Sequence, residues 1–130
     1  MYPGWWVKRN KITVLAVLHC YYNRAGTEQH VRDLTRALAE EVDMWLLFRH
    51  GGDIVLRSPR GDETRWVGER VEWPVTPYMT DTTERVVREV LERVRPQVIH
   101  VHHIHQWPIG VLDHLTAHGV PTLYTLHDYY

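Results

Sequence analysis

Cysteine is almost missing from this sequence: Cys20 is the one thiol in 130 residues. An internal disulfide is therefore excluded, and neither a cysteine pair nor a His-Glu-x-x-His helix is present to hold zinc. Net charge is nearly missing too, at −1, with basic and acidic residues interspersed. That removes the electrostatic footprint of a nucleic-acid binder. No apolar run approaches the roughly 18 residues that span a bilayer, and residues 1–10 lack the apolar centre of a secretory leader. Neither the dinucleotide spacing G-x-G-x-x-G nor the P-loop spacing G-x-x-x-x-G-K-[ST] occurs, which argues against a conventional NAD site and a P-loop ATPase. Apolar content of 44% and charged content of 24% remain, enough for one globular domain with its own core. A cytoplasmic protein is expected. Tyr2, Trp5 and Trp6 beside Lys8, Arg9 and Lys11 suit either a flexible N-terminal extension over residues 1–10 or peripheral contact with the inner face of a membrane.

Residues 11–19 form an almost continuous apolar run and predict a strand buried on both faces of a parallel sheet. A polar turn over residues 19–26 leads to a helix from Thr27, whose buried face is predicted to carry Val31, Leu34, Leu38 and Val42. A strand follows over residues 44–48, then short β pieces with hairpin character over residues 53–75. Trp66 and Trp73 in this excursion read as core rather than as an acceptor wall. The next helix begins near Asp81, a fair N-cap, buries Val86, Val87, Val90, Leu91 and Val94, and stops before Pro96. Residues 97–101 form a strand. Pro108 opens a helix with the stripe Ile109, Leu112 and Leu115, ended by Gly119 and Pro121, before a last strand over residues 122–126.

Such alternation gives right-handed βαβ crossovers: an α/β, Rossmann-like parallel sheet with helices on both faces and a β-hairpin excursion. Ligands of such sheets bind outside the carboxyl ends of the strands. Three polar clusters fall there, at residues 19–28, 100–106 and 127–128. A last strand ending in a polar cluster, without a covering helix, reads as an incomplete domain over residues 11–130. His100, His102, His103 and His105 alternate, so His100 and His102 share one face and His103 and His105 the other. Zinc would need further ligands, so polar or catalytic histidines are expected rather than a metal site.

Three ordered blocks carry a resemblance. Val17-Leu18-His19-Cys20-Tyr21-Tyr22 followed by Ala25-Gly26-Thr27-Glu28-Gln29-His30-Val31 resembles the first strand, glycine loop and helix of the family 4 glycosyltransferases, retaining enzymes of the GT-B fold. Arg95-Pro96-Gln97-Val98-Ile99-His100-Val101-His102 resembles that family's RPDVIHxH strand, and Val120-Pro121-Thr122-Leu123-Tyr124-Thr125-Leu126-His127-Asp128 its VPxVxTxHD strand. The resemblance implies the N-terminal, acceptor-side half of a two-domain enzyme. Its implied partners are a nucleotide-sugar donor, a sugar, lipid or small-molecule acceptor, and a C-terminal donor-binding domain; no cofactor or metal is implied.

By the same resemblance the backbone of Ala25, Gly26 and Thr27 approaches the donor diphosphate, and His127 is the catalytic residue beside the donor sugar. Tyr21, Glu28, His102, His105 and Asp128 are expected to face the acceptor or line the cleft. Ala25 stands where the family has the first of two glycines. Glu84 and Glu92 match the spacing of the family's Glu-x7-Glu but read as exposed ion-pairing positions around Arg88 on a helix. Without the donor-binding half the chain is expected to transfer no sugar. Rival readings are a non-catalytic Rossmann-like module that pairs with a separate chain and a metal-dependent enzyme built on the histidine cluster.

Overall fold

The computed structural model describes residues 10–70 and 77–127. Residues 1–9, 71–76 (with Trp73) and 128–130 (with Asp128) lie outside them, so the N-terminal extension and the strand piece expected over residues 71–75 do too.

Strand β1 (Ile12–Val17) runs to the polar turn and into helix α1 (Gly26–Ala37). Strands β2 (Val42–His50), β3 (Asp53–Arg57) and β4 (Glu63–Trp66) follow. Helix α2 (Asp81–Val94), strand β5 (Val98–Val101), the short helix α3 (Val111–Thr116) and strand β6 (Thr122–Tyr124) complete the order. One sheet has the sequence β4-β3-β2-β1-β5-β6. Its β2, β1, β5 and β6 are parallel, while β3 and β4 are antiparallel additions. The expected parallel sheet with a hairpin excursion is thus present.

Alternation along the strand explains why the sequence is apolar at every position from Val14 to Leu18. Val14, Ala16 and Leu18 pack with Met44, Leu46 and Phe48 under Val31 and Leu34 of α1. Leu15 and Val17 pack with Leu47, Ile54, Ile99 and Val101 under Val86, Val87 and Val90 of α2 and Val111 and Leu115 of α3. Each face of this buried stretch has a helix over it, so neither face is polar there.

Four expectations are corrected. Val42 is not the last turn of α1; it starts β2 and pairs with Ile12, because the helix ends at Ala37 and the chain must turn back to reach the sheet. The N-cap of α2 is Thr80, not Asp81: Thr80 is extended, and its hydroxyl oxygen accepts from the Thr83 amide at 3.1 Å. Ile109 is 53% exposed and lies outside α3. The Gly110 amide donates to the Tyr78 carbonyl, which holds this turn against the start of α2, so the buried helical pair becomes Val111 and Leu115. The last strand stops at Tyr124 rather than at residue 126.

Thr80→Ala is expected to cost about 1 kcal/mol by orphaning that amide. A urea midpoint equal to that of the unaltered chain would contradict it.

Helix α2 ends as its sequence requires. Arg95 takes a left-handed conformation at φ 48°, since Pro96 disfavours a helical predecessor. Glu84 and Arg88 form an exposed ion pair at 3.1 Å on this helix, as their spacing predicts. Trp66 is half-buried against the α2-side core, its indole donating to Glu89 at 3.1 Å. No helix among the described residues is long and apolar enough to cross a membrane.

Candidate active site

From β1 the chain crosses to β2 by way of α1, then returns to the opposite side of β1 by way of α2 and β5. The sheet therefore has its switch point between the carboxyl ends of β1 and β5, where an α/β sheet opens a crevice. Backbone bonds fix both walls. His102 N–H donates to the Val17 carbonyl at 2.8 Å, and the Trp107 indole donates to the Leu18 carbonyl at 2.9 Å. The loop between β1 and α1 is pinned from beneath by Arg32, which donates to the carbonyls of Tyr21 and Asn23 and lies 4.3 Å from the centre of the Tyr21 ring.

A cleft of about 490 Å³ opens there, lined by His19, Ala25, Gly26, Thr27, Glu28, His30 and His127. Helix α1 meets this cleft with an unusual start. Its N-cap is Ala25, and no side chain caps the first turn. The amides of Gly26, Thr27 and Glu28 belong to the first turn, where no helical carbonyl reaches them, and the helix end adds partial positive charge. Helix α2, by contrast, carries a side-chain cap from Thr80.

Glu28 is 1% exposed beneath the loop. Its Oε1 accepts from the Cys20 thiol at 2.5 Å and lies 3.6 Å from His19 Nε2, while Oε2 has no hydrogen-bond partner. Burial, and then the Glu28 carboxylate, push the Cys20 thiol up to about 12. Desolvation and the neighbouring imidazoles of His100, His127 and His30 push His102 down to about 3, and His100 is lowered for the same first reason. Both are neutral near pH 7.

Of the site residues expected from sequence, the structure brings together Ala25, Gly26, Thr27, Glu28 and His127 at the cleft. His102 lies behind this wall, 1% exposed, with Nδ1 3.3 Å from His127 Nε2. His105 is exposed, its ring 6.1 Å from that of His103. Tyr21 does not line the cleft; its ring packs on Phe48 and under Arg32. The pairing of imidazoles follows the expected alternation, with His100 and His102 rings 3.8 Å apart and His103 beside His105. Two cleft residues were not singled out from sequence, His19 and His30. His30 follows Gly26 by four positions, one helical turn, which places it on the face that Gly26 presents.

The sequence model of Glycosyltransferase Family 4 matches residues 24–130, from the helix-loop through the strand-end histidines. The chain belongs to this family. No curated protein and no solved structure matches it. As the N-terminal domain of a family 4 glycosyltransferase, the chain has its cleft at the switch point, and the blocks that resemble the family are those that border it.

Proposed function

We propose that this domain is the acceptor-side wall of a retaining glycosyl transfer from a nucleotide-sugar donor to a sugar, lipid or small-molecule acceptor. The observation that carries the reading is the uncapped start of α1, opening onto a cleft whose other side presents His127. Amides of Gly26 and Thr27 would receive the diphosphate, and the helix end would offset charge that develops on it as the glycosidic bond breaks. His127 would contact the donor sugar, held at its angle by His102. Amide donors make a metal unnecessary for leaving-group stabilisation. Glu28 supports the loop through Cys20 rather than meeting substrate with both oxygens.

A donor-binding α/β half would close the cleft from the other side, and hexosyl transfer by the 130 residues alone is not expected. The protein would work in the cytoplasm, with the aromatic and basic residues 1–9 giving it peripheral contact with the inner face of a membrane.

Titration of the isotopically labelled chain with uridine diphosphate is expected to shift the Gly26, Thr27 and Glu28 amides at millimolar concentration, with no turnover of a nucleotide sugar. Shifts confined to other residues would refute the diphosphate assignment, and turnover would refute the need for a second half.

A further inference from the structure

The wall of the cleft that would meet a diphosphate has no fixed positive charge. None of the seven residues lining it is a lysine or an arginine, three are histidines, and the one ionisable group besides them is the acid Glu28. The first-turn amides and the end of α1 supply only partial charge. A full unit of positive charge on this wall therefore has to come from an imidazole that takes up a proton.

The three rings differ in what already holds them. His19 stands 3.6 Å from the Glu28 carboxylate and its ring lies 4.3 Å from that of His103. His127 Nε2 is 3.3 Å from His102 Nδ1. His30 is the exposed one of the three, and it meets the rings of His127 and His102 at 5.0 and 5.9 Å between centres. Helical side chains lean toward the amino end of their helix, so the His30 ring projects back over the turn that carries the amides of Gly26 and Thr27. The space there is open: no other segment comes within 4 Å of where a Cβ on Gly26 would stand.

We propose that His30 is a proton-dependent ligand of the diphosphate: an anion in the cleft draws a proton from solvent onto this ring, and the imidazolium donates an N–H to a phosphate oxygen. The inference rests on the diphosphate reading given above and adds to it a side-chain contact and a pH dependence. The ionisable groups around the ring are His100 and His102 from β5 and its end, His127 beyond β6, and His19 and Glu28 at the same cleft. His100 and His102 are neutral near pH 7, since burial lowers both, so neither repels an imidazolium at position 30. His19 and His127 are the competing proton acceptors, and Glu28 is engaged with Cys20. Proton and diphosphate strengthen each other equally by linkage. Affinity should therefore rise as the pH falls through the range in which an imidazole charges, about 6.5.

Uridine diphosphate glucose is the probe, because both its phosphates are esterified and neither titrates in this range. Titrated into the isotopically labelled chain at pH 6, 7 and 8, it is expected to shift the Gly26 and Thr27 amides at every pH. Its affinity should be roughly fivefold greater at pH 6 than at pH 8, the worth of one charge-assisted hydrogen bond at an exposed position. At pH 7 the ligand should move the His30 ring carbons toward their imidazolium positions. His30→Gln, which alters an exposed side chain and cannot take up a proton, should bind with the same affinity at all three pH values. Equal affinities in the unaltered chain, a pH dependence that survives in His30→Gln, or proton uptake at the ring of His19 or His127 instead would overturn the role of His30 and leave the diphosphate site standing. Gly26 and Thr27 amides that stay unshifted at all three pH values would remove the diphosphate reading and this inference together.

Discussion

Cys20 should react with iodoacetamide at pH 8 on the order of a thousand times more slowly than an ordinary cysteine. The thiolate is the reactive form, and a thiol raised from 9.0 to about 12 has roughly a thousandth of the usual thiolate at that pH. Two physical causes combine. Desolvation is the larger, and the Glu28 carboxylate that accepts the thiol proton at 2.5 Å adds to it, outweighing the opposing pull of Asn23 and Arg32. Glu28→Gln should therefore raise the rate without reaching that of a free thiol. The decisive measurement is the rate against pH. A profile that levels off near pH 9 would mean that the thiol ionises normally, and the Cys20–Glu28 pair would lose its meaning.

Acid should destabilise the fold through His102. Its folded value near 3 lies below the 6.5 of an exposed imidazole, so the unfolded chain binds the proton more readily. Stability is then complete above about pH 6.5 and is lost progressively as the pH falls from there toward 3. Between pH 7 and 4.5 the loss from this one ring is of order 2–3 kcal/mol, a sizeable share of a domain stability of about 5–15 kcal/mol. His100, lowered by its own burial, acts in the same direction. Urea titrations at both pH values should show the drop, and His102→Gln should show a clearly smaller one. Equal drops in the two proteins would remove His102 from the account.

Sequence and structure agree where one physical signal dominates. The almost continuous apolar run of β1 predicts a central strand, and a helix on each face explains why its buried stretch from Val14 carries no polar residue. The family blocks pointed to Gly26, Thr27 and His127, and these residues do share one cleft. Disagreement arises where a tertiary bond overrides a local pattern. Ile109 fits a helical stripe with Leu112 and Leu115, yet Gly110 is tied to Tyr78, a partner 32 positions away in sequence, and the helix starts later. Val42 fits the spacing of α1 equally well, but register with Ile12 claims it for the sheet. Tyr21 sits within a polar cluster, yet its ring packs against Phe48 and under Arg32. The rings of His30, His102 and His127, with centres 5.0–5.9 Å apart, meet only because three chain segments converge, which no local spacing can announce.

The bare start of α1 has a cost that its capped neighbour makes visible. A serine, threonine or aspartate at position 25 would satisfy one first-turn amide and contribute about 1 kcal/mol, as Thr80 does for α2. Ala25 forgoes that gain. Under the proposed diphosphate role, the demands of folding and of ligand reception conflict at this residue, a small local frustration. A stability-optimised version of the domain would then plug the proposed anion receptor.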